Sequence, residues 1–238
     1  MKRAARSAFL WDEEAGDLLA SGRSLTELHS VGPFVAEQIR SCLEGATSSS
    51  TEPHDPLRED FLTMAEARKI LAADPTWAPR LRGDLQMHTQ WSDGTGTVAE
   101  MAEAAEARGY EYIAITDHSK GLKIAGGIDE AQLLEQAAEI AAVNQTNSAS
   151  GSKVTVLHAL EMNLNPRGEG DMEPRALSRL DLVLGSFHSA LRLKADQTER
   201  YLAALRNPNV HILGHPRGRV YNYRIGLTAD WPRVFAEA

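Results

Sequence analysis

From Gly83 to the end of the chain, short apolar segments alternate with segments of helical pattern, and this alternation limits the fold more than any other feature. Each of five predicted strands is followed by a predicted helix. The strands are predicted at 83–89, 110–118, 153–164, 181–189 and 210–216. Before them, Thr63, with Glu66 three residues later, is predicted to cap a helix. Residues 148–152 are predicted to form a polar loop. Consecutive β-α units favour a parallel sheet or barrel with helices packed against it. The sequence therefore predicts an α/β domain.

Each predicted strand carries, at or near its end, a residue that can bind a metal ion. These residues are His88 with Asp93 just beyond it, Asp117 with His118, Glu161, His188 and His215. In a parallel β/α barrel the carboxyl ends of all strands meet on one face, where active sites are built. Imidazoles and carboxylates are suitable ligands for Zn²⁺, Mn²⁺ or Fe²⁺. One strand-end histidine is more often structural, but five such strand ends in succession favour a metal centre.

A metal centre of this composition suits the hydrolysis of phosphate esters. Two ions about 3.5–4 Å apart can stabilise both the attacking and the leaving oxygen, and Glu161 is the natural bridging carboxylate. Positive side chains must then bind the phosphate, and Lys120, Arg217 and Arg219 directly follow predicted ligands. Guanidinium groups bind phosphate through paired hydrogen bonds. A solvated basic loop is the alternative interpretation of the two arginines.

Five segments resemble, in order, the motifs of the PHP (polymerase and histidinol phosphatase) domain family. They read GDLQMHTQWSDG, YIAITDHS, LEMNL, GSFHS and ILGHPRGR. The resemblance extends from Gly83 to Ala238 and is nearest to the PHP domain of bacterial family X DNA polymerases, including the segment SKGLKIAGGIDE. It implies a distorted seven-stranded β/α barrel, metal-dependent phosphoesterase chemistry, and up to three divalent ions, Mn²⁺ or Zn²⁺, at the strand C-termini.

The resemblance also implies a role for individual residues. Ligands of a metal pair are implied at His88, Glu161, His188 and His215. Ligands of a third ion are implied at Asp93 and His118, and Asp117 matches a strand-end acid that supports the ligands. The candidate catalytic residues are therefore Asp117, Lys120, Arg217 and Arg219.

Two departures from the family pattern affect the expected metal centre. The family begins with His-x-His, and the first of these positions is Gln86 here. A glutamine oxygen can bind hard ions such as Mg²⁺ or Mn²⁺ but is a poor Zn²⁺ ligand, so Gln86 is a candidate ligand of a weakened site. The family's final Asp-x-His motif is not found before Ala238. We therefore expect a PHP-type barrel that is incomplete at its C-terminus, in a fragment or a truncated product.

The first part of the chain predicts a small helical module, residues 1–46, joined by a linker, 47–60, to a PHP domain over 61–238. The segment from Ser24 to Glu44 has the pattern of a helix-hairpin-helix, with a helix to Leu28, a turn at SVGP and a second helix. Around Ser30 and Gly32, backbone N–H groups could approach a DNA phosphate without regard to base sequence. A plain helical hairpin that packs on the barrel is the alternative.

Charge and composition limit the classes of protein to which this chain could belong. The net charge of −8 is unlike that of a protein that binds nucleic acid by bulk electrostatics. No apolar run is long enough to span a membrane. No signal peptide is recognised, and the single Cys42 excludes an internal disulfide, so we expect a cytoplasmic protein.

Three functions fit these observations. The first is a metal-dependent phosphoesterase that acts on DNA as an exonuclease or in the repair of strand ends. The second is a small-molecule phosphatase of the histidinol phosphatase type. The third is a degenerate domain that only binds DNA or a protein, which Gln86 favours. The first 82 residues are too few for a polymerase catalytic domain.

Overall fold

The computed structural model describes residues 2–45 and 56–238. By its contacts the chain divides into two compact units, Met1–Arg80 and Leu81–Ala238. Helix Met64–Ala73 falls within the first unit, whereas the sequence analysis assigned it to the domain that follows the linker. Most of the predicted linker lies outside the described residues. The predicted domain bounds stay a prediction.

The described residues form short helices in the first unit and alternating strands and helices in the second. The α-helices of the first unit are α1 Lys2–Ser7, α2 Ala15–Ala20, α3 Pro33–Gly45 and α4 Met64–Ala73. Those of the second are α5 Val98–Ala107, α6 Glu130–Ser150, α7 Pro174–Leu177, α8 Thr198–Leu205 and α9 Trp231–Glu237. The strands are β1 Gly83–Met87, β2 Tyr112–Ile115, β3 Thr155–Asn163, β4 Leu182–Ser186 and β5 Ile212–Leu213. Turns of 3₁₀-helix lie at Ala8–Leu10, Leu25–Glu27, Ala78–Arg80 and Lys123–Ala125.

The five strands form one parallel sheet in the order β1-β2-β3-β4-β5, curled into a half-barrel. Each strand pairs with the next one along the chain, as in the pairing of Ile113 with Val156 and of Glu161 with Leu184. This topology confirms the predicted α/β class and is consistent with an incomplete barrel of the PHP type. All five carboxyl ends therefore lie along one edge, as the sequence analysis expected.

Apolar side chains fix the helices to this sheet. One cluster joins β2 to α5 and α6 and includes Val98, Ile113 and Ile140, each no more than 3% exposed. A second cluster joins β3 and β4 to α8 and includes Leu160 and Tyr201, which are fully buried. Burying one such side chain contributes about 2 kcal/mol. The helices thus hold the strands in register and leave the strand ends for polar residues.

Side chains at the helix starts define where several helices begin. The predicted cap at Thr63 is present, because its hydroxyl accepts from the Glu66 N–H while the Glu66 side chain accepts from the Thr63 N–H. Thr97 and Asp129 begin α5 and α6 in the same reciprocal way. Each such cap contributes about 1 kcal/mol. In the described residues, no helix combines the length and the apolar character needed to cross a membrane.

Residues 148–152 differ from the sequence prediction of a polar loop. Helix α6 continues to Ser150 and ends where Gly151 adopts a φ of 81°. There the Gly151 N–H donates to the carbonyls of Asn147 and Ser148, an arrangement that favours glycine. The serines lengthen the helix because the glycine, and not the polar composition, sets its end.

The predicted helix up to Leu28 was also wrong. The segment forms only the single 3₁₀ turn Leu25–Glu27, because Gly22, with a φ of 75°, follows the end of α2 and Ser24 starts a new capped turn. The second predicted helix is present as α3. Between them Ser30 has a φ of 66°, a conformation that favours glycine. Its turn therefore has the left-handed backbone that a glycine would supply.

Candidate metal centre

Glu161, on β3, lies at the centre of four histidines. Its side chain is 1% exposed. One carboxylate oxygen, Oε1, lies 2.8 Å from His215 Nε2 and 3.2 Å from His188 Nε2. The other, Oε2, lies 3.3 Å from His88 Nε2 and 3.5 Å from His118 Nδ1. One buried carboxylate is thus shared by imidazoles from four different strand ends.

The backbone explains how these five residues meet. His88, His118, His188 and His215 each follow the end of a strand by one to three residues. His118 extends the sheet by a bridge to Glu161 after β2 itself has ended. The rings of His88 and His118 stack with centroids 4.3 Å apart, and His188 meets His118 and His215 edge to face at 5.2 Å. His215 has a φ of 22°, which is rare outside glycine and is typical of a functional site.

The residues fit divalent metal ions. Two groups of residues could each hold an ion, because within each group the ligand atoms lie within 4.8 Å of one another. The first group is His88, His118 and Glu161, and the second group is Glu161, His188 and His215. Two of the buried nitrogens, His118 Nδ1 and His188 Nε2, have no hydrogen-bond partner among the described residues. Leaving buried polar atoms without a partner costs about 1–3 kcal/mol each. A metal ion in each group would satisfy the unpaired nitrogen of that group, since imidazole and carboxylate are usual ligands of such ions.

The electrostatics of the cluster favour an ionised carboxylate. Burial opposes ionisation of Glu161, but the imidazole nitrogens of His188, His215 and His88, which lie 2.8–3.3 Å from its oxygens, hold the pKa of its carboxyl well below its ordinary value. The hydrogen bond between His215 and Glu161 raises the pKa of His215. For His88, burial lowers the pKa, yet the hydrogen bond and charge of Glu161 outweigh it and raise the pKa. Burial lowers the pKa of His118.

Gln86 contacts the cluster as a hydrogen-bond donor. Its Nε2 donates to Glu161 Oε2 at 2.7 Å. Gln86 is therefore placed beside the predicted ligands, but the contact it makes is to the carboxylate. Its assignment as a ligand stays a prediction.

Asp93 lies at the edge of the cluster. Its Oδ1 is 3.7 Å from His118 Nε2, and its side chain is 49% exposed, compared with 9% for His118. Asp93 and His118 are thus brought together, as the resemblance implied. His118 also faces Glu161 and His88, a grouping that the sequence analysis did not anticipate.

Asp117 is fully buried and faces away from Glu161, toward the loop after β1. Its Oδ1 accepts from the Thr89 N–H at 2.8 Å and from Ser92 Oγ at 2.5 Å. Its Oδ2 accepts from Thr89 Oγ1 and from Gln136 Nε2, both at 2.7 Å. Three of these bonds fix the loop that carries His88 and Asp93, and the fourth ties Asp117 to Gln136 on α6. The contacts of Asp117 are thus with this loop and with α6, and its catalytic assignment stays a prediction.

The three predicted phosphate-binding residues lie in loops that begin at ligands. Lys120 Nζ is 2.7 Å from Glu130 Oε1, so its charge is already paired. Arg217 is exposed and Arg219 is half-buried, both in the loop after β5. Of the three, Arg217 is the one that is exposed to solvent. Their catalytic assignment stays a prediction.

A second set of polar residues contacts the histidine cluster and was not predicted from the sequence. Asn163 Oδ1 lies 3.1 Å from His188 Nδ1. The Asn163 N–H donates to Ser119 Oγ, which donates to Asp171 Oδ1 at 2.7 Å. A signal for Asn163 was available, because it lies two residues after Glu161 and hence on the same face of β3. Asp171 lies in a loop and has no comparable signal.

Comparison with known proteins identifies one matching family and several relatives. The PHP domain family model matches residues 84–221. The chain is 40% identical over 152 residues to the DNA polymerase/3'-5' exonuclease PolX of Bacillus subtilis, covering 63% of this chain and 26% of that protein. It is 32% identical to a probable phosphatase of Photobacterium profundum, covering 60% and 53%. It is 28% identical to the probable phosphatase YcdX of Escherichia coli, covering 62% and 58%. The chain thus spans about a quarter to just over half of these relatives.

Proposed function

Since the chain belongs to the PHP domain family, we propose that it is a metal-dependent phosphoesterase that hydrolyses phosphodiester bonds of DNA at strand ends. The observation that carries the proposal is the sharing of the buried Glu161 carboxylate by four imidazoles at the strand ends. The likeness to a protein named as a 3'-5' exonuclease supports DNA as the substrate. The low pKa of Glu161 keeps the carboxylate negative, as a metal ligand must be.

The two ligand groups define which residues would hold the ions. Glu161, His188 and His215 would hold one, and His88, His118 and Glu161 another, with Asp93 beside His118. Divalent ions bound there would polarise phosphoryl oxygens and supply a nucleophile at neutral pH. Mn²⁺ suits this mixture of imidazole and carboxylate, and Zn²⁺ is the alternative.

The protein's own groups hold these ligands in the orientation that binding requires. Asn163 Oδ1 can accept a hydrogen bond from a protonated His188 Nδ1, which leaves the Nε2 lone pair directed at the centre. Asp117 holds the loop of His88 and Asp93 through Thr89 and Ser92. Arg217 and Arg219, in the loop that follows His215, would contact the phosphate of a substrate.

DNA binding by the first unit is a further part of the proposal. Ser30 and Gly32 lie in the turn before α3, and Ser30 has the left-handed conformation of such turns. Backbone N–H groups there would contact phosphates independently of base sequence. The single Cys42 is exposed and suits a reducing cytoplasm, which is where we place the protein.

Two other functions each have one observation in their favour. Hydrolysis of small phosphate monoesters is favoured by the likeness to probable phosphatases. A binding role without catalysis is favoured by Gln86, which donates to Glu161 at the position of the family's first histidine.

One experiment separates the three functions. The purified chain is stripped of metal, reloaded with Mn²⁺ or Zn²⁺, and assayed on end-labelled single-stranded DNA and on p-nitrophenyl phosphate, with His188→Ala as the control. DNA hydrolysis that the variant loses supports the proposal. Hydrolysis of the monoester alone would favour the phosphatase. Metal uptake without hydrolysis of either would favour the binding role.

A further inference from the structure

Two loops that begin at histidines of the metal centre pack against each other. We call them the rim loops: residues 189–195, after His188, and residues 216–229, after His215. The Arg192 guanidinium lies over the ring of Tyr223 at 4.5 Å from its centroid. Gly218 lies against Leu191, where a Cβ would be 3.2 Å from the leucine side chain. The rim loops therefore form one continuous surface beside His188 and His215.

The charge of the rim loops is opposite to that of the whole chain. Together they contain five basic residues and no acidic residue, with Asp196 and Asp230 directly beyond their ends, in a chain of net charge −8. The basic residues are Arg192, Lys194, Arg217, Arg219 and Arg224. A local cluster of this kind attracts a polyanion although the overall charge would repel one.

The rim loops also expose aromatic and aliphatic groups. Tyr223 is 62% exposed although its ring is in contact with Arg192. Leu193, Val220 and Ile225 are each at least 41% exposed. Alternation of basic side chains with an exposed aromatic ring is typical of surfaces that bind single-stranded nucleic acid, because bases stack on the ring while cations contact the phosphates.

We propose that Arg192 and Tyr223 form a stacking platform for one unpaired nucleobase of a DNA strand whose phosphates lie along the basic side chains of the rim loops. The proposal rests on the proposed function and adds that the substrate end is single-stranded. A base in a duplex is already stacked and paired, and reaching the platform would require its release. A small phosphate monoester without a base would leave the ring of Tyr223 uncovered.

Binding measured without hydrolysis tests the platform separately from the proposed function. Fluorescence anisotropy in EDTA at low salt compares a short oligothymidylate with an oligomer of the same length in abasic deoxyribose phosphate. The full-length chain is expected to bind the thymidylate about tenfold more tightly, as one stacked base would give. Tyr223→Ala is expected to remove this preference and to keep the affinity for the abasic oligomer, which depends on charge alone.

Three further variants separate the platform from unrelated effects. Tyr223→Phe keeps the ring and should keep the preference, and Arg192→Ala should reduce it. Phe235→Ala removes another exposed aromatic ring, 69% exposed on α9, and should change nothing. Equal binding of both oligomers by the unchanged chain, or a preference that survives Tyr223→Ala, would overturn the platform. A base preference in a chain that never hydrolyses DNA with Mn²⁺ would instead leave the platform standing and refute the proposed function.

Discussion

Gln86 Nε2 donates to Glu161 Oε2 at 2.7 Å, and the same oxygen lies 3.3 Å from His88 Nε2. The amide therefore competes with the first ligand group for one lone pair of the carboxylate. A histidine in place of Gln86 would present a nitrogen that can bind a metal ion directly. We therefore expect position 86 to affect metal binding by the group of His88, His118 and Glu161 more than by the group of Glu161, His188 and His215.

Gln86→His is expected to raise the affinity of the chain for Zn²⁺ relative to Mn²⁺, because imidazole is a softer ligand than an amide oxygen. Competition between the two ions, followed by calorimetry, measures the change. Gln86→Ala is the matched control, since it removes the hydrogen bond to Glu161 without adding a ligand. An unchanged metal preference in Gln86→His would show that position 86 does not contact the ion.

His188→Ala and His215→Ala are each expected to lower metal stoichiometry and to remove most hydrolysis, because each deletes one of three ligands in the second group. The fold should persist, since neither side chain belongs to an apolar cluster. Metal content by elemental analysis and turnover are the measurements. His29→Ala, a change at an exposed histidine of the first unit, is the control. Wild-type stoichiometry and turnover in both variants would refute the ligand assignment.

The parts of the centre that could be predicted from sequence are those that depend on strand position. Parallel strands bring their carboxyl ends together whatever the details of packing, so the meeting of His88, Glu161 and His215 followed from the β-α alternation alone. Helix starts such as Thr63 followed from capping, which is a local property. The end of α6 was missed because Gly151 outweighs the helix-breaking tendency of the serines before it.

The parts that could not be predicted depend on where side chains point after the chain has folded. Lys120 is predicted to bind the phosphate, and its ion pair with Glu130 on α6 could not be foreseen from the sequence. Asp117 and His118 are adjacent in sequence and point to opposite sides, so one holds a loop while the other joins the cluster. Asp171 accepts a hydrogen bond from Ser119, which lies 52 residues away in the sequence. The spacing of residues in the sequence does not predict that contact.

Asp117→Ala is expected to destabilise the chain by about 3 kcal/mol or more, because it leaves several buried donors without an acceptor. Thr89, Ser92 and Gln136 would all lose their bonds to the carboxylate. Urea unfolding of the metal-free chain measures the effect. Asp93→Ala, which removes a half-exposed carboxylate, should change the unfolding free energy by less than about 1 kcal/mol. Similar stability of the two variants would contradict a structural role for Asp117.

Asn163→Leu is expected to weaken metal binding roughly tenfold, as is usual when the partner of a ligating histidine is lost. Its Oδ1 lies 3.1 Å from His188 Nδ1 and would otherwise fix that ring. Asn163→Asp retains an acceptor oxygen and should retain most of the affinity. Metal titration of the three proteins is the measurement. If Asn163→Asp lost as much affinity as Asn163→Leu, the loss would come from packing and not from the hydrogen bond.

Metal affinity is expected to fall as the pH is lowered through neutrality. Contacts with Glu161 raise the pKa of His215, and for His88 they outweigh the opposing effect of burial. A raised pKa means that each ring holds its proton up to a higher pH than an ordinary histidine, whose pKa is about 6.5. A metal ion must displace these protons, so metal affinity should be highest at a pH above the raised pKa values. As the pH is lowered, the affinity should begin to decline before the pH reaches about 6.5. Calorimetry in buffers of different ionisation enthalpy would detect the protons released on binding. Affinity that stayed constant down to about pH 6, with no proton release, would show that neither ring is a ligand.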